Sequence, residues 1–114
     1  RSQMFFKDHA TLAITALNDT QDYNVGDSDS VVIGLFSSAF TATISFYASS
    51  DGTNFHVMAV EAVAATAPAT RVVSATANGL WRIDVSGFKK IRVTCTAFTS
   101  ATAAVVTVNS ARSN

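Results

Sequence analysis

Cysteine, glycine, proline and charge are all scarce in this chain, and each shortage closes off a class of protein. A single cysteine, Cys95, can neither build an internal disulfide framework nor supply a cysteine-based zinc cluster. Five glycines are present without a phosphate-cradling loop, and the one proline is Pro68. Charged residues make up 14% of the chain, well under the usual share of about a quarter. Eight basic residues cancel eight acidic ones, which argues against a nucleic-acid binder driven by bulk charge. No apolar run approaches the roughly 20 residues of a membrane helix; the longest, Val31 to Phe40, is interrupted by Ser37 and Ser38. The hydrophobic share of 48% is too high for a disordered tail. What is left is one small domain of 114 residues, a size that buries roughly 65% of its unfolded surface without staples.

The residues that are plentiful are β-branched: 14 Thr, 13 Val and 5 Ile, types that favour pleated, half-buried surfaces. Alanine is also frequent, at 19, but it falls in Ala-Thr and Ala-Val alternations and not at helical spacing. In Thr41–Ala48, Ala42, Ile44, Phe46 and Ala48 share one face; Asp51-Gly52 then signals a tight hairpin, with a return strand from Phe55 that places Phe55, Val57 and Ala59 together. Trp81, Ile83 and Val85 alternate with Arg82 and Asp84, and Ile91, Val93, Cys95 and Ala97 alternate with Arg92, Thr94 and Thr96. Asn78-Gly79, Ser86-Gly87 and Thr99–Thr102 read as the turns around these strands, and the last strand as Ala103–Asn109. Leu12-Ile14-Ala16 and Val31-Ile33-Leu35 read as strands on either side of an acidic, turn-rich stretch, Asn18–Ser30. Val63–Ala69 reads as a loop or edge, because Pro68 cannot donate to a ladder, and Val72-Val73 as the start of a further strand. Met58, Glu61, Ala62 and Ala65 fit helical spacing and offer a competing helix within Val57–Ala67.

The expected fold is therefore all-β: an antiparallel β-sandwich, jelly-roll-like, of about eight or nine short strands. Residues 1–10 are expected as an N-terminal arm or first strand and residues 11–114 as a single sandwich domain. Arg1 is not an initiator, and Met4 is either a native start or an internal residue. Lys7, Asp8 and His9 directly after Phe5 and Phe6 deny this segment the apolar stretch of a secretory signal.

Chemistry is hard to find. His9 and His56 lack a carboxylate or cysteine at ligand spacing, and His56 reads as an exposed strand residue. Asp19, Asp22, Asp27 and Asp29 are rich in oxygen, but Asp27-Ser28-Asp29 has no calcium-loop frame and no Glu occurs before Glu61, so turn chemistry explains them better. No Gly-x-Ser-x-Gly elbow supports a catalytic serine. Cys95 and Trp81 are expected in the core, although an exposed Trp81 could stack on sugar. No catalytic residue, cofactor or metal is assigned.

Charge is unevenly spread. Arg1–Glu61 holds two basic and seven acidic residues; Ala62–Asn114 holds six basic and one acidic. Two readings follow: pairing across sheets inside the monomer, or acidic loops of one copy meeting the Arg82, Lys89, Lys90 and Arg92 region of a neighbour, which would fix register more than affinity. Lys89-Lys90 alone makes a poor nucleic-acid site, lacking an aromatic partner in an exposed groove. Many Ser, Thr and Ala side chains lose little rotamer entropy when covered, which suits broad protein contacts.

Three blocks carry a resemblance. They are Ala42-Thr43-Ile44-Ser45-Phe46-Tyr47 leading into Ser50-Asp51-Gly52-Thr53-Asn54-Phe55; Asn78-Gly79-Leu80-Trp81-Arg82-Ile83-Asp84-Val85-Ser86-Gly87-Phe88; and Ile91-Arg92-Val93 running into Thr96-Ala97-Phe98-Thr99-Ser100. In this order the chain resembles, over about Leu12 to Val108, a recurring β-sandwich module of tailed-bacteriophage virion proteins. The pattern often has Trp after the asparagine, so Phe55 is a departure, one that touches packing only. The resemblance implies a structural virion protein without catalytic residues: a capsid decoration (cement) protein on the outer capsid surface, bound to the major capsid protein as a homo-oligomer, commonly a trimer at local three-fold positions. With no repeat or linker visible, a separate bound subunit is expected over a fibre fragment. The contact residues expected from charge and aromatic exposure are Phe5, Phe6, Asp27, Asp29, Arg82, Lys89, Lys90 and Arg92, with Phe5 and Phe6 either reaching a neighbour or buried locally in a first strand. Neither nucleic acid nor membrane is an expected partner. The alternative is a tail, fibre or adhesin module binding host glycan through Trp81, Tyr47 or Tyr23.

Overall fold

The structure is a computed structural model that describes residues 4–63 and 71–113. Its elements are strands throughout: β1 (Met4–Asp8), β2 (Leu12–Ala13), β3 (Thr20–Asn24), β4 (Ser30–Phe36), β5 (Ala39–Ser49), β6 (His56–Val57), β7 (Val60–Ala62), β8 (Arg71–Val72), β9 (Ser74–Ala75), β10 (Gly79–Asp84), β11 (Lys90–Thr102) and β12 (Val105–Ser113). One sheet runs β1-β12-β4-β10-β7-β8, with β2 also on β12; the other runs β3-β11-β5-β6, with β9 also on β5. Every pairing is antiparallel.

The pairs β1·β12, β3·β11, β4·β10 and β5·β6 are nested from the two ends of the chain inward. The chain thus behaves as one long hairpin wound around a core, which is the jelly-roll arrangement expected from the sequence. The described strands number twelve where eight or nine short ones were expected. Two-residue bridges make up part of the difference. In the other direction, β5 and β11 are long, at 11 and 13 residues.

The inward face follows the two-residue alternation. Val31, Ile33 and Leu35 on β4, Ile44 and Phe46 on β5, and Ile91, Val93 and Cys95 on β11 are buried completely. Phe46 and Trp81 meet across the sandwich with ring centroids 5.9 Å apart, one ring from each sheet. Trp81 is 7% exposed and Tyr23 only 2%. Both sit in the core and neither forms a sugar-stacking platform; Tyr47 is half-buried.

Several expectations are corrected. Ala97 is exposed, because β-bulges between Cys95 and Ala97 and between Phe98 and Ser100 shift the register against β5. Each bulge inserts a residue, so the core side continues from Cys95 to Phe98 and Ala101, at a spacing of three. The same bulges carry β11 through Thr99–Thr102, where a turn was expected; the turn comes instead at Ala103, with φ +51°. The last strand accordingly runs Val105–Ser113, not Ala103–Asn109. Asn18–Ser30 contains a strand, β3, which its polar composition hid. After β5, Met58 and Val60 point inward while Val57 and Ala59 are exposed, so the face assigned to Phe55, Val57 and Ala59 is the outer one. The hairpin at Asp51-Gly52 is a six-residue loop, 50–55, that returns as β6. The competing helix is displaced by β6 and β7 over its first half; its remainder and most of the Val63–Ala69 loop lie outside the described residues.

Gly34 explains a second departure from simple alternation. A Cβ there would stand 2.8 Å from Thr107 Oγ1, 2.9 Å from Phe36 Cε2 and 3.1 Å from Leu80 Cδ2. The missing side chain lets Phe36 and Leu80 lie down over the outer face of the β4 sheet, where they remain 53% and 42% exposed.

Two stability outcomes follow. Phe46→Ala should cost about 3–5 kcal/mol in chemical denaturation, since a fully buried ring leaves a cavity between the sheets. Gly34→Ala should cost about 1–3 kcal/mol through overpacking; an unchanged midpoint would show that Phe36 and Leu80 move aside freely.

Candidate functional site

The wound hairpin sets strands of the acidic first half beside strands of the basic second half, so the uneven charge of the sequence is largely interleaved in space. Asp22 on β3 stands opposite Arg92 on β11. The Arg92 guanidinium donates twice to its carboxylate, from Nε at 2.6 Å and from Nη2 at 3.0 Å. Arg92 also lies 3.8 Å over the Phe55 ring and is in register with Tyr47 on β5. The pair holds the Asp22 carboxyl below its ordinary range and raises the Arg92 guanidinium. Arg92 therefore has its partner within the monomer, and Phe55 supports it.

Arg82 is on the outer face of the other sheet, with Glu61 beside it in register and Arg71 opposite Glu61 in turn. Asp29 stands at the entry to β4, where its N–H donates to the Ala111 carbonyl at 2.8 Å and its carbonyl accepts from Val85 at 2.9 Å. These two expected contact residues lie on neighbouring strands, with Arg82 opposite Val32 and Asp84 opposite Ser30, the residue after Asp29.

The remaining five converge. Phe5, Phe6 and Asp27 line one depression with Lys7, Ser110 and Arg112. Asp27, Lys89 and Lys90 line the next, of about 570 Å³, with Lys7, Asn24 and Asp51. Lys7 and Asp27 belong to both. Phe5 and Phe6 lie within β1, yet they are 43% and 77% exposed, because this edge strand is paired on one side only. The Arg112 guanidinium carbon sits 5.3 Å from the Phe5 ring centroid. Lys7, Arg112 and the apolar patch around Gly34 were missed in the sequence. The signal for the patch was a glycine inside a β-branched strand; nothing local marked Lys7 or Arg112 as neighbours of Lys89 and Lys90.

Other polar groups are tied into the frame. Asp19 accepts from the N–H groups of Thr15 (2.7 Å) and Ala16 (3.0 Å), which lowers its pKa. Asp51 accepts from the N–H groups of Thr53 and Asn54, both at 2.8 Å, and from Asn54 Nδ2 and Ser49 Oγ, which hold it far below the ordinary carboxylate value. His9 Nε2 is 2.9 Å from Ser110 Oγ and its ring stands edge-on to Tyr23; burial lowers its pKa. Burial pushes the Tyr23 hydroxyl up to about 12. Cys95 is buried and burial raises its thiol pKa, the setting of an inert core thiol. Among the described residues, no three of His, Cys, Asp and Glu come together in a group able to hold a metal ion.

Asp19, Asp22 and Asp51 all have lowered folded-state pKa values. Their contribution is complete above the unfolded value of about 4 and is lost as the pH falls through the lower folded values. Burial likewise lowers the His9 pKa, so denaturation midpoints should begin to fall once the pH drops below about 6.5, where the ring must charge, and fall further below about 4. In a double-mutant cycle the partly exposed Asp22–Arg92 pair should couple by about 0.5–1 kcal/mol.

Comparisons with known proteins complete the description. No curated protein sequence matches the chain. Among solved structures it is similar to the SPBc2 prophage-derived protein YomS, with TM-score 0.75 and 14% identity over 97% of this chain and 95% of that one. It is similar also to the PBSX exported protein XepA, with TM-score 0.75 and 16% identity over 96% of this chain and 38% of that one. The chain thus spans well under half the length of XepA. At such identities the likeness shows the fold alone. A family model for XepA, however, matches residues 1–109, and on that match the chain belongs to the XepA family.

Proposed function

We propose that this chain is a non-catalytic structural module of a phage, acting by adhesion to other proteins. In its specific form the reading is a capsid decoration protein of a tailed phage, bound on the outer capsid surface to the major capsid protein as a homo-oligomer, with a trimer as the expected count. The observation that carries it is the kind of surface the fold presents. Exposed aromatic and cationic side chains collect at an open sheet edge, while the buried thiol and one of the two histidines are tied into the frame. Such an edge suits contact with a protein surface better than turnover of a small substrate. Membership of the XepA family and the likeness to a prophage-derived protein support a phage origin. Burial of Trp81 and Tyr23 removes two of the three aromatics on which a glycan-binding adhesin would rely.

Labelling particles with an antibody to this chain and counting copies tests the reading. Many copies spread over the head are expected, and particles depleted of the protein should release DNA at lower temperature. A few copies at one vertex would place the module on the tail. Absence from particles, or depleted particles as robust as intact ones, would refute clamping of the capsid.

A further inference from the structure

The open edge of β1 has the features of a strand-accepting site, and the geometry points to its occupant: an extended acidic segment of a partner protein, alternating carboxylate and apolar side chains, that adds as a further strand. Two independent features of this edge converge on that occupant. The first is the backbone. His9 N–H donates to the Val108 carbonyl at 2.9 Å, and Lys7 and Phe5 stand opposite Ser110 and Arg112 two and four residues on. Hydrogen-bonded and non-bonded positions alternate along an antiparallel ladder. Lys7 and Phe5 therefore bond to β12, while the N–H and C=O of Phe6 and Asp8 face away from it. Among the described residues, no strand occupies that side. A row of free backbone groups is a template for main-chain pairing, with alternate side-chain pockets giving selectivity.

The second is the chemistry of the two sides. Phe5 and Lys7 share a side with Arg112, and this side opens toward Lys89 and Lys90. Four cations there face the carboxylates of Asp27 and Asp51, and Asp51 is already committed to four hydrogen bonds within its own loop. Positive charge is in excess, and carboxylates of an added strand meet it. The other side carries Phe6, 77% exposed, against which an apolar residue of the same strand would rest. The lysines come from separate parts of the chain, and Lys89 and Lys90 are held by a rigid backbone: Lys89 N–H donates to the Ser49 carbonyl at 2.8 Å, and Lys90 sits between Asn24 and Ser49 in the ladder. The site is thus largely preformed.

The inference rests on the reading of the chain as a protein-binding module, and its test is separate from particle labelling. Isotope-labelled full chain is titrated with a short peptide alternating glutamate and valine, with a lysine–valine peptide, oligothymidylate and anionic phospholipid vesicles as comparison probes. Chemical-shift changes are expected on β1, β12, residues 26–27 and residues 89–90 with the acidic peptide. Lys7→Glu combined with Lys90→Glu should weaken binding at least about tenfold. Asp8→Pro removes an outward N–H and one negative charge; strand addition predicts lost binding, whereas attraction by charge alone predicts equal or tighter binding. Asp8→Asn keeps the N–H and should bind at least as well as the parent, so the test survives if the proline variant does not fold. No binding, equal binding of the lysine peptide, preference for the oligonucleotide or the vesicles, or an Asp8→Pro variant that folds and still binds would each overturn the inference. A chain found on particles that ignores the acidic peptide would sink the edge alone and leave the structural reading standing.

Discussion

The nested antiparallel pairing of early strands with late ones is the constraint from which the rest of this molecule follows. It is driven by burial: completely buried residues from β4, β5, β11 and β12 meet between the sheets, with Phe46 against Trp81 across the gap. Because a strand near the start pairs with one near the end, groups remote in sequence become neighbours. Asp22 meets Arg92, Phe5 meets Arg112, and Lys7 lines the same depressions as Asp27. The sandwich both stabilises the chain and composes its surface.

That composition explains how a chain with so few charges still presents distinct surfaces. Its charges are few, yet they are not spread evenly. Asp22 neutralises Arg92, Glu61 stands between Arg82 and Arg71, and Asp51 is taken up in its own loop. The cations with least compensation are those at the β1 edge, beside the exposed Phe5 and Phe6. The Gly34 patch of Phe36 and Leu80 is a second apolar surface, built by the absence of one side chain. The chain belongs to the XepA family and shares its fold with a prophage-derived protein.

Several misreadings share one cause. The alternation through Ala42–Ala48 and Ile91–Cys95 was legible because the pleat itself has a period of two. It failed at Ala97, where bulges against β5 insert residues. It failed again at Val57, where the chain changes sheets and the buried residue becomes Met58. The strand at Thr20–Asn24 was hidden because its partner β11, and not its own composition, makes it a strand. Each error lies where a non-local pairing overrides a local pattern.

The candidate surface divides the same way. From residues alone, Phe5 and Phe6 were visible as unexplained aromatics and Lys89-Lys90 as an isolated basic pair. The sequence by itself determined that the chain would fold as pleated sheets with a β-branched core and without a catalytic motif, since side-chain period and composition are local properties. Only the tertiary structure decided that the aromatics and the lysines lie on one edge, that Arg92 is already paired, and that Tyr23 is inside. Those outcomes depend on which strands become neighbours, and that is settled by the simultaneous burial of residues far apart in the chain.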